Sequence, residues 1–394
     1  MYNGIEVDVL SLGDADCIVV TQWCGSFPHR VLIDGGSGAD AEIVTDFLRS
    51  RNYTSFWAAL CTLLHNDHAR GLIKVVQNKA IAIRNGWMHD IRKHVGPDAL
   101  RRASVGDDNV KEVVETTKEL AGAFLNRGLI PQEPFAGGAA SVIAGYPSMT
   151  VLGPSLPYYK RVIEEFTRVE LPALPPPVPA MPMWSALAGL AGNAPSPGFP
   201  GLAELALASP TPPLYTSLAA LFPPPPSRNN SAIPPSPLFG LLSKSAVEEN
   251  PGTQPYNNSS VILGVMFSGR RLLFTADAGS EALSHVGADW NHLLYMGVPH
   301  HGSDGNLSRS DIERFCPQFA AISAKGDSSH PSRAIVSGLV KAGAKVYSTH
   351  KTGHFWFWSG SVPPRSDYGP VEPLRGTGEP EPVADWVKIL SGMR

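Results

Sequence analysis

The chain has 394 residues, of which 43% are hydrophobic and 17% are charged, and its formal net charge is -3. This length suits one large domain or two ordinary ones with a sizeable core. Proteins that grip phosphate backbones usually carry a basic excess, so the charge balance gives no support to nucleic-acid binding, although it does not exclude a nucleic-acid substrate.

Neither the cysteines nor the N-terminus indicates export. The four cysteines have irregular spacing and form no C-x-x-C pair, which favours reduced thiols in a reducing compartment. The first ten residues lack the basic start and the apolar core of a signal peptide. No apolar run reaches the roughly 20 residues that a membrane-spanning helix needs. We therefore expect a soluble, cytoplasmic protein with no membrane contact.

Short β-rich runs alternate with amphipathic segments in residues 1–170, which predicts the first half of an α/β domain. The predicted strands cover residues 4–10, 16–21, 30–34, 56–64, 140–147 and 149–154. The predicted helices cover residues 39–51, 69–78, 108–127 and 156–166.

A change of composition marks residues 171–250 as a proline-rich insertion. Residues 171–240 contain 19 of the 37 prolines and only two charged residues, Glu204 and Arg228. Proline runs exclude helices and central strands, whereas the lack of charge is untypical of a disordered region. Two interpretations stay open: a loosely structured insertion, or a segment that binds the aromatic groove of a protein partner.

Regular patterns resume in residues 251–358, the second half of the predicted domain, and residues 359–394 form a Pro/Gly-rich tail with a short helix at 384–390. The predicted strands cover residues 259–267, 270–277, 291–299, 319–325, 344–350 and 354–358. The predicted helices cover residues 280–288, 308–315 and 333–342. Two blocks of strands, each accompanied by helices, suggest an αββα sandwich.

The first candidate site follows the apolar strand 56–64, where His65, Asp67 and His68 form the pattern H-x-D-H. Imidazole and carboxylate together suit Zn²⁺, Mn²⁺ or Fe. The alternative is that Asp67 caps a helix that begins near Ala69.

Two further strand ends carry residues of the same kind. Asp277 ends the strand 270–277, either as a metal ligand or as a helix N-cap. His300 and His301 follow the strand 291–299. Adjacent histidines at a strand end point in different directions, so we expect only one of them to face a given site. Three strand ends with metal-type ligands are improbable as independent coincidences.

Three later histidines could bind a substrate phosphate or carbonyl, or could simply lie in loops. His330 precedes Pro331, while His350 and His354 stand in the segment THKTGH. The aromatic residues around His354 favour a structural role for that side chain.

In this order the motifs resemble those of the metallo-β-lactamase superfamily, and most closely those of the metallo-hydrolase domain of the ComEC/Rec2 competence proteins. The matching segments are VLSLGDADCIVV, VLIDGG, LLHNDHARGL, MTVLGP, NNSSVIL, LLFTAD, VPHHGS, SSHPS and VYSTH. The resemblance covers about residues 5–165 and 255–358. It implies a metallo-β-lactamase-like αββα sandwich whose cleft holds a divalent metal, Zn foremost, with Mn or Fe as alternatives.

The resemblance implies two metal positions in one cleft. The ligands it gives for the second of these are Asp67, His68, Asp277 and His301. His301 is preferred to its neighbour because it directly precedes Gly302. The other position retains His65 alone, because Leu63 stands where the family has another histidine and Asn258 stands at the mid-domain ligand position.

The resemblance also implies a chemistry. Asp67 would orient a metal-activated water or act as a base, and His300 and His330 would stabilise developing negative charge. The expected activity is that of a phosphodiesterase or nuclease-like hydrolase, with a phosphoester or a nucleic-acid-like molecule as substrate.

A non-enzymatic alternative rests on departures from the family pattern. Leu63, Ala15 and Ala276 replace residues that the family motifs contain. A metallo-hydrolase fold with a degraded site could serve as a binding scaffold, with the proline-rich insertion as the element that binds a protein partner.

Overall fold

Two six-stranded mixed sheets and nine α-helices make up the regular structure of the described part of the chain in the computed structural model. The described residues are 1–137, 149–168, 252–327 and 330–375. The predicted α/β class is confirmed for them, and they belong to one unit that joins Met1–Glu170 to Leu241–Arg394. The strand predicted at 140–147, the proline-rich insertion and the helix predicted at 384–390 lie outside the described residues.

The first sheet combines five strands from the start of the chain with a late strand. Its members are β1 (Tyr2–Val9), β2 (Ile18–Gly25), β3 (Phe27–Ile33), β4 (Ser55–Leu60), β5 (Ala82–Trp87) and β12 (Phe355–Ser361). Their order is β12-β1-β2-β3-β4-β5. The pairs from β12 to β3 are antiparallel, whereas β3, β4 and β5 run parallel.

The second sheet has the same division into an antiparallel and a parallel part. Its members are β6 (Met149–Gly153), β7 (Ile262–Phe267), β8 (Arg270–Phe274), β9 (Tyr295–Gly297), β10 (Phe319–Ile322) and β11 (Lys345–Ser348). Their order is β11-β10-β9-β8-β7-β6, with β8 to β11 parallel. The predicted hairpin of β7 and β8 is confirmed, and its two turn residues, Ser268 and Gly269, have the positive φ values of a tight hairpin turn.

Nine α-helices accompany the two sheets in the described part of the chain. They are α1 (Ala41–Ser50), α2 (Asn66–Gln77), α3 (Pro97–Gly106), α4 (Asp108–Leu125), α5 (Leu156–Phe166), α6 (Ser280–Ser284), α7 (Arg309–Phe315), α8 (Arg333–Lys341) and α9 (Thr349–Thr352). Helices α1 to α8 share apolar clusters with the outer faces of the sheets. None of the helices in the described ranges combines the length and the apolar content needed to span a bilayer.

Three apolar clusters give the order of the layers. One cluster contains residues of both sheets, such as Val20 and Leu263, and therefore lies between them. Neighbouring residues of a strand point to opposite faces of the sheet. Val19, which precedes Val20 in β2, therefore lies in a second cluster, which packs the outer face of the first sheet against α1, α2 and α4. The third cluster packs Leu273 of the second sheet against α7 and α8. The described layers follow one another as helices, sheet, sheet and helices.

The boundaries around the first candidate site differ from those expected. β4 ends at Leu60, although the apolar run extends to residue 64. The strand stops early because the N–H of Thr62 donates to Asp34 Oδ1 at 2.7 Å and not to a neighbouring strand. The helix expected to begin near Ala69 begins at Asn66. His65 is its N-cap, so the expectation that Asp67 caps this helix is wrong.

Other boundaries were also missed. The sequence patterns indicate neither β5 nor α3, and α6 ends at Ser284 although the pattern predicts a helix to residue 288. The α6 pattern fails because Val286 and its neighbours pack beside the helix as a loop and not as a continuation of it.

Candidate metal centre

Four side chains from three connections between elements converge at one place. Asp67 and His68 lie in the first turn of α2, Asp277 follows β8, and His301 follows β9. One ligand atom of each residue lies within 4.8 Å of the ligand atoms of the other three. Three of the side chains are buried, whereas that of Asp67 is 32% exposed. We call these four residues the Asp/His group.

A glycine contact fixes the start of α2. The N–H of Gly35 donates to the carbonyl of His68 at 2.9 Å, and the N–H of Gly71 donates to the carbonyl of Gly36 at 2.8 Å. A Cβ on Gly71 would overlap the carbonyl oxygen of Gly35, so only glycine permits this approach. The turn after β3 therefore holds the first turn of α2, and with it Asp67 and His68, in place.

The two ring nitrogens of the buried His68 have different roles. Nδ1 lies 3.0 Å from Oδ2 of Asp34. Oδ2 also accepts a hydrogen bond from the hydroxyl of Thr62, and Oδ1 accepts one from the N–H of Thr62. An ionised carboxylate only accepts, so Nδ1 carries a hydrogen and donates it. Nε2 has no hydrogen-bond partner in the described part of the chain and faces the carboxylates of Asp277 at 3.3 Å and Asp67 at 3.6 Å.

His301 approaches the group in the same orientation. It lies in a 3-10 turn, His300–Gly302, with a positive φ of 55°. Its Nδ1 lies 3.0 Å from the carbonyl oxygen of Ser323, which can only accept, so Nδ1 is again the donor. Its Nε2 lies 3.3 Å from Oδ2 of Asp67. Both histidines therefore direct Nε2 at a carboxylate.

Asp277 supplies a deeply buried carboxylate. It follows Ala276, whose φ of 47° turns the chain sharply after β8. Its Oδ1 has no hydrogen-bond partner among the described residues, and its backbone carbonyl accepts from Nδ2 of Asn306 at 2.7 Å. The N-cap of α6 is Gly279, so the N-cap interpretation of Asp277 is wrong.

The charges of the group stabilise one another. Burial opposes ionisation of Asp277, but the charge of His68 holds the pKa of this carboxyl well below its usual range. Burial would lower the pKa of His301, whereas its hydrogen bond with Asp67 and the nearby carboxylates raise it to about 9. The carboxylates thus favour positive charge at the centre. A metal ion that binds Nε2 must displace a proton, so its affinity rises with pH.

The donor set fits a divalent metal ion. Neighbouring donor atoms lie 3.3 Å and 3.6 Å apart, and a tetrahedral complex with bonds of about 2.0–2.1 Å places its donors about 3.4 Å apart. Buried polar atoms without hydrogen bonds are uncommon, and an ion bound next to Asp277 Oδ2 would give a partner to His68 Nε2. Imidazole nitrogen and carboxylate oxygen suit Zn, Mn and Fe alike, so the group could hold a metal ion without selecting one of these.

His65 lies beside the Asp/His group and is not one of its members. It has the extended backbone of an N-cap, and its ring packs on that of Tyr256 with 4.9 Å between centroids. Leu63 is buried in the apolar core and lines a small cavity with His89 and Tyr159. The structure therefore places an apolar contact where the family resemblance expects another histidine.

His300 lies at the edge of the group. Its Nε2 is 4.0 Å from Oδ2 of Asp277, and its Nδ1 is 2.8 Å from Oδ1 of Asn306. Of these two adjacent histidines, only His301 contributes a ligand atom to the group. Both residues have positive φ, 48° and 55°, and this turn directs both rings toward carboxylates of the group.

His330 lies on the rim next to these two histidines. Its ring centroid is 5.6 Å from that of His300 and 5.8 Å from that of His301. Its Nδ1 lies 3.5 Å from Oδ2 of Asp14, and its side chain is 21% exposed. His330 is thus placed to contact a molecule that enters from solvent.

The remaining candidate histidines have partners of their own. Nδ1 of His350 pairs with the hydroxyl of Ser348 at 2.6 Å. Nδ1 of His354 accepts the N–H of Ser11 at 2.8 Å, and its ring packs against Phe47. These contacts agree with the structural role that the aromatic neighbours of His354 indicate.

The sequence patterns did not assign the residues that orient the ligands. Asp34 stands at the end of β3 in the segment VLIDGG, and its position at a strand end was an available signal. Ser323 acts through its carbonyl and Asn306 lies in an irregular loop, so neither leaves a trace in the sequence pattern. Asn258 accepts the N–H of Gly279 at 3.1 Å, which gives it a structural contact.

Comparison with known proteins assigns no family to the chain. No protein-family model matches it, and no curated protein matches it either. What the chain does must therefore be inferred from the Asp/His group and its surroundings.

Proposed function

We propose that this chain is a metal-dependent hydrolase with a metallo-β-lactamase-like αββα sandwich, and that it cleaves phosphodiesters. The Asp/His group carries the proposal, because two carboxylates converge with two Nε2 atoms whose rings are held by hydrogen bonds of their Nδ1 atoms. The layer order of helices, sheet, sheet and helices supports the fold assignment. Residues that follow separate strands and meet at one edge are typical of sites in layered α/β folds.

The group divides into buried and accessible ligands. His68, Asp277 and His301 are at most 3% exposed and would hold the ion in a fixed geometry. Asp67 is the exposed ligand, so it can also orient an attacking water or accept its proton. A bound divalent metal would supply a Lewis acid that lowers the pKa of water and polarises a phosphoryl group.

The rim supports a phosphoester substrate. His330 is partly exposed and close to the group, so its ring can donate a hydrogen bond to a phosphoryl oxygen as negative charge develops there. We propose a nucleotide or nucleic-acid phosphodiester as the substrate. We also propose a cytoplasmic location, which four free cysteines support. We propose in addition that the proline-rich insertion binds a protein partner.

The first measurement is the metal content of the full chain, purified without chelator or metal-affinity resin, followed by hydrolysis of bis(4-nitrophenyl) phosphate with Zn²⁺ or Mn²⁺. We expect bound metal and turnover in the unmodified protein. Asp277→Asn should lose metal and lower kcat/KM by about 100-fold or more. The matched control is Asp90→Asn, a buried carboxylate that pairs with Arg92 outside the group, and it should keep both properties.

Two results would contradict the hydrolase. One is a folded protein that binds no Zn²⁺ or Mn²⁺ at all. The other is turnover that Asp277→Asn and Asp90→Asn change equally. Either result would favour the binding scaffold, in which the fold persists without the chemistry.

A further inference from the structure

An interior cavity lies between the two sheets, beside the Asp/His group. Strands of both sheets form its apolar walls. Asp34 and Ser323 line it as well, and their oxygen atoms accept from Nδ1 of His68 and of His301. The cavity therefore borders the contacts that orient both histidines.

The cavity is large enough for one water molecule. Its volume, counted as the space open to the centre of a water molecule, is about 20 Å³. About 10–15 Å³ on this measure is enough for one water, which also needs two to four polar partners. A small cavity with purely apolar walls stays dry, so the polar atoms of the wall decide what this one holds.

Tyr295 of β9 brings an unpartnered hydroxyl to the wall. Tyr295 is 1% exposed, and its hydroxyl makes no hydrogen bond within the described residues. The ring packs against Phe274 and Phe357, with ring centroids 5.5 Å and 5.1 Å away. Burial and the charge of Asp16 raise the pKa of this hydroxyl, which therefore keeps its hydrogen as a donor. Buried phenol groups usually find a hydrogen-bond partner.

The other polar side chains of the wall offer lone pairs. Asp16 carries a carboxylate, which only accepts hydrogen bonds. The hydroxyls of Thr62 and Thr275 already donate to other protein oxygens, so only their lone pairs are left. An occupant of the cavity must accept from Tyr295 and donate to these oxygens. Water does both, whereas an anion would face the charge of Asp16 without a hydrogen to donate.

We propose that this cavity is the binding site of one resident water molecule, which accepts the hydrogen of Tyr295 and donates to Asp16 and to a threonine hydroxyl. Asp16 lies 4.0 Å from Nδ1 of His68, so the water is next to the Asp/His group and is not one of its ligands. Its binding needs no metal ion, and the inference therefore stands apart from the proposed hydrolase.

Crystals of the chelator-treated full chain test this site directly. We expect one ordered water at about 2.7–2.8 Å from the hydroxyl oxygen of Tyr295 and within hydrogen-bond distance of Asp16. Tyr295→Phe should lose this water. The matched control is Tyr347→Phe, which changes a ring of the same apolar cluster outside the cavity wall and should keep the water. An empty cavity in the unmodified protein would overturn the inference, as would a bound cation in place of the water.

Thermal unfolding of the same variants gives an independent test in solution. A hydroxyl without a partner is a buried unpaired donor, so its removal would raise the unfolding midpoint. A hydroxyl bound to water loses that bond on removal, and we expect Tyr295→Phe to lower the midpoint by about 1–3 °C. A raised or unchanged midpoint would contradict the bound water. Neither assay depends on turnover, so failure of the hydrolase and failure of the water site are separate results.

Discussion

Replacing Asp34 by asparagine should weaken metal binding although Asp34 touches no metal. Asp34 accepts three hydrogen bonds, from the N–H of Thr62 at 2.7 Å, from the Thr62 hydroxyl at 2.5 Å and from Nδ1 of His68 at 3.0 Å. Asparagine has nearly the same shape and tolerates the φ of 57° at this position. The substitution therefore changes the chemistry of the contact and leaves the turn in place.

The size of the effect of Asp34→Asn follows from the number of hydrogen-bond donors that face Asp34. A carboxylate offers acceptors to all three donors, whereas an amide turns an NH₂ group toward at least one of them. A hydrogen bond to a charged group contributes about 1.5–3 kcal/mol, and a buried donor left unpaired costs about 1–3 kcal/mol. We expect Asp34→Asn to lower the free energy of unfolding by about 2–3 kcal/mol. Because the amide no longer fixes Nε2 of His68 as the ligand atom, Zn²⁺ affinity should fall by about 10- to 100-fold.

Two assays separate these effects. Urea unfolding of the chelator-treated protein gives the change in the free energy of unfolding. Calorimetric titration of the folded protein with Zn²⁺ gives the change in metal affinity. Asp90→Asn serves as the control, since it also removes a buried carboxylate but lies outside the group. Zn²⁺ affinity equal to that of the unmodified protein in a folded Asp34→Asn variant would refute the reasoning that Asp34 sets the tautomer of His68.

Three further substitutions test the fold around the centre and the pH dependence of stability. Gly71→Ala should destabilise the protein by about 3 kcal/mol or more in urea unfolding, because a Cβ there overlaps a backbone carbonyl. In the control Gly122→Ala, a Cβ would meet no atom of the described residues within 4 Å, and stability should rise by about 0.5–1 kcal/mol. Ala276→Gly should stabilise the protein by about 0.5–1 kcal/mol, since glycine relieves the positive φ, and an equal or lower unfolding midpoint would contradict this. Burial raises the pKa of Glu133, but its hydrogen bond with His94 lowers this pKa to about 2. The ionised Glu133 carboxylate therefore stabilises the fold above pH 4.5, and this stabilisation is lost as the pH falls toward 2. Glu133→Gln should therefore cost about 2 kcal/mol at pH 7 and clearly less at pH 3, and a constant cost in urea unfolding at the two pH values would show that the charge is not responsible.

The sequence predicted which four side chains converge better than it predicted their surroundings. Asp67, His68, Asp277 and His301 each follow an apolar run of strand length, and strands of a layered fold present their ends at shared edges. Their positions at strand ends, together with the family resemblance that selects these four residues as a set, led to the expectation that they meet. The start of α2 at Asn66 was missed because His65 is a poor N-cap by residue type, and tertiary contacts hold the helix start instead.

The residues that orient the ligands depend on turns that no periodicity encodes. Asp34 acts because the chain bends at the end of β3, and Ser323 acts through a backbone carbonyl. Asn306 lies six positions after His300, and no periodic pattern in the sequence links the two residues. The two histidines after β9 lie in a turn of positive φ and not on a strand, and only His301 belongs to the Asp/His group.

The distribution of backbone strain bears on whether the centre is a working site or a degraded one. In the described part of the chain, eight residues other than glycine have positive φ, and four of them, Asp34, Ala276, His300 and His301, lie at or beside the Asp/His group. Positive φ costs roughly 1–2 kcal/mol for a residue with a Cβ, though less for Asp. Several kcal/mol is a large share of the about 5–15 kcal/mol by which a folded protein is stable. A scaffold that had lost its chemistry would gain stability by replacing Ala276 or His300 with glycine, so the retained strain favours a centre that still binds metal.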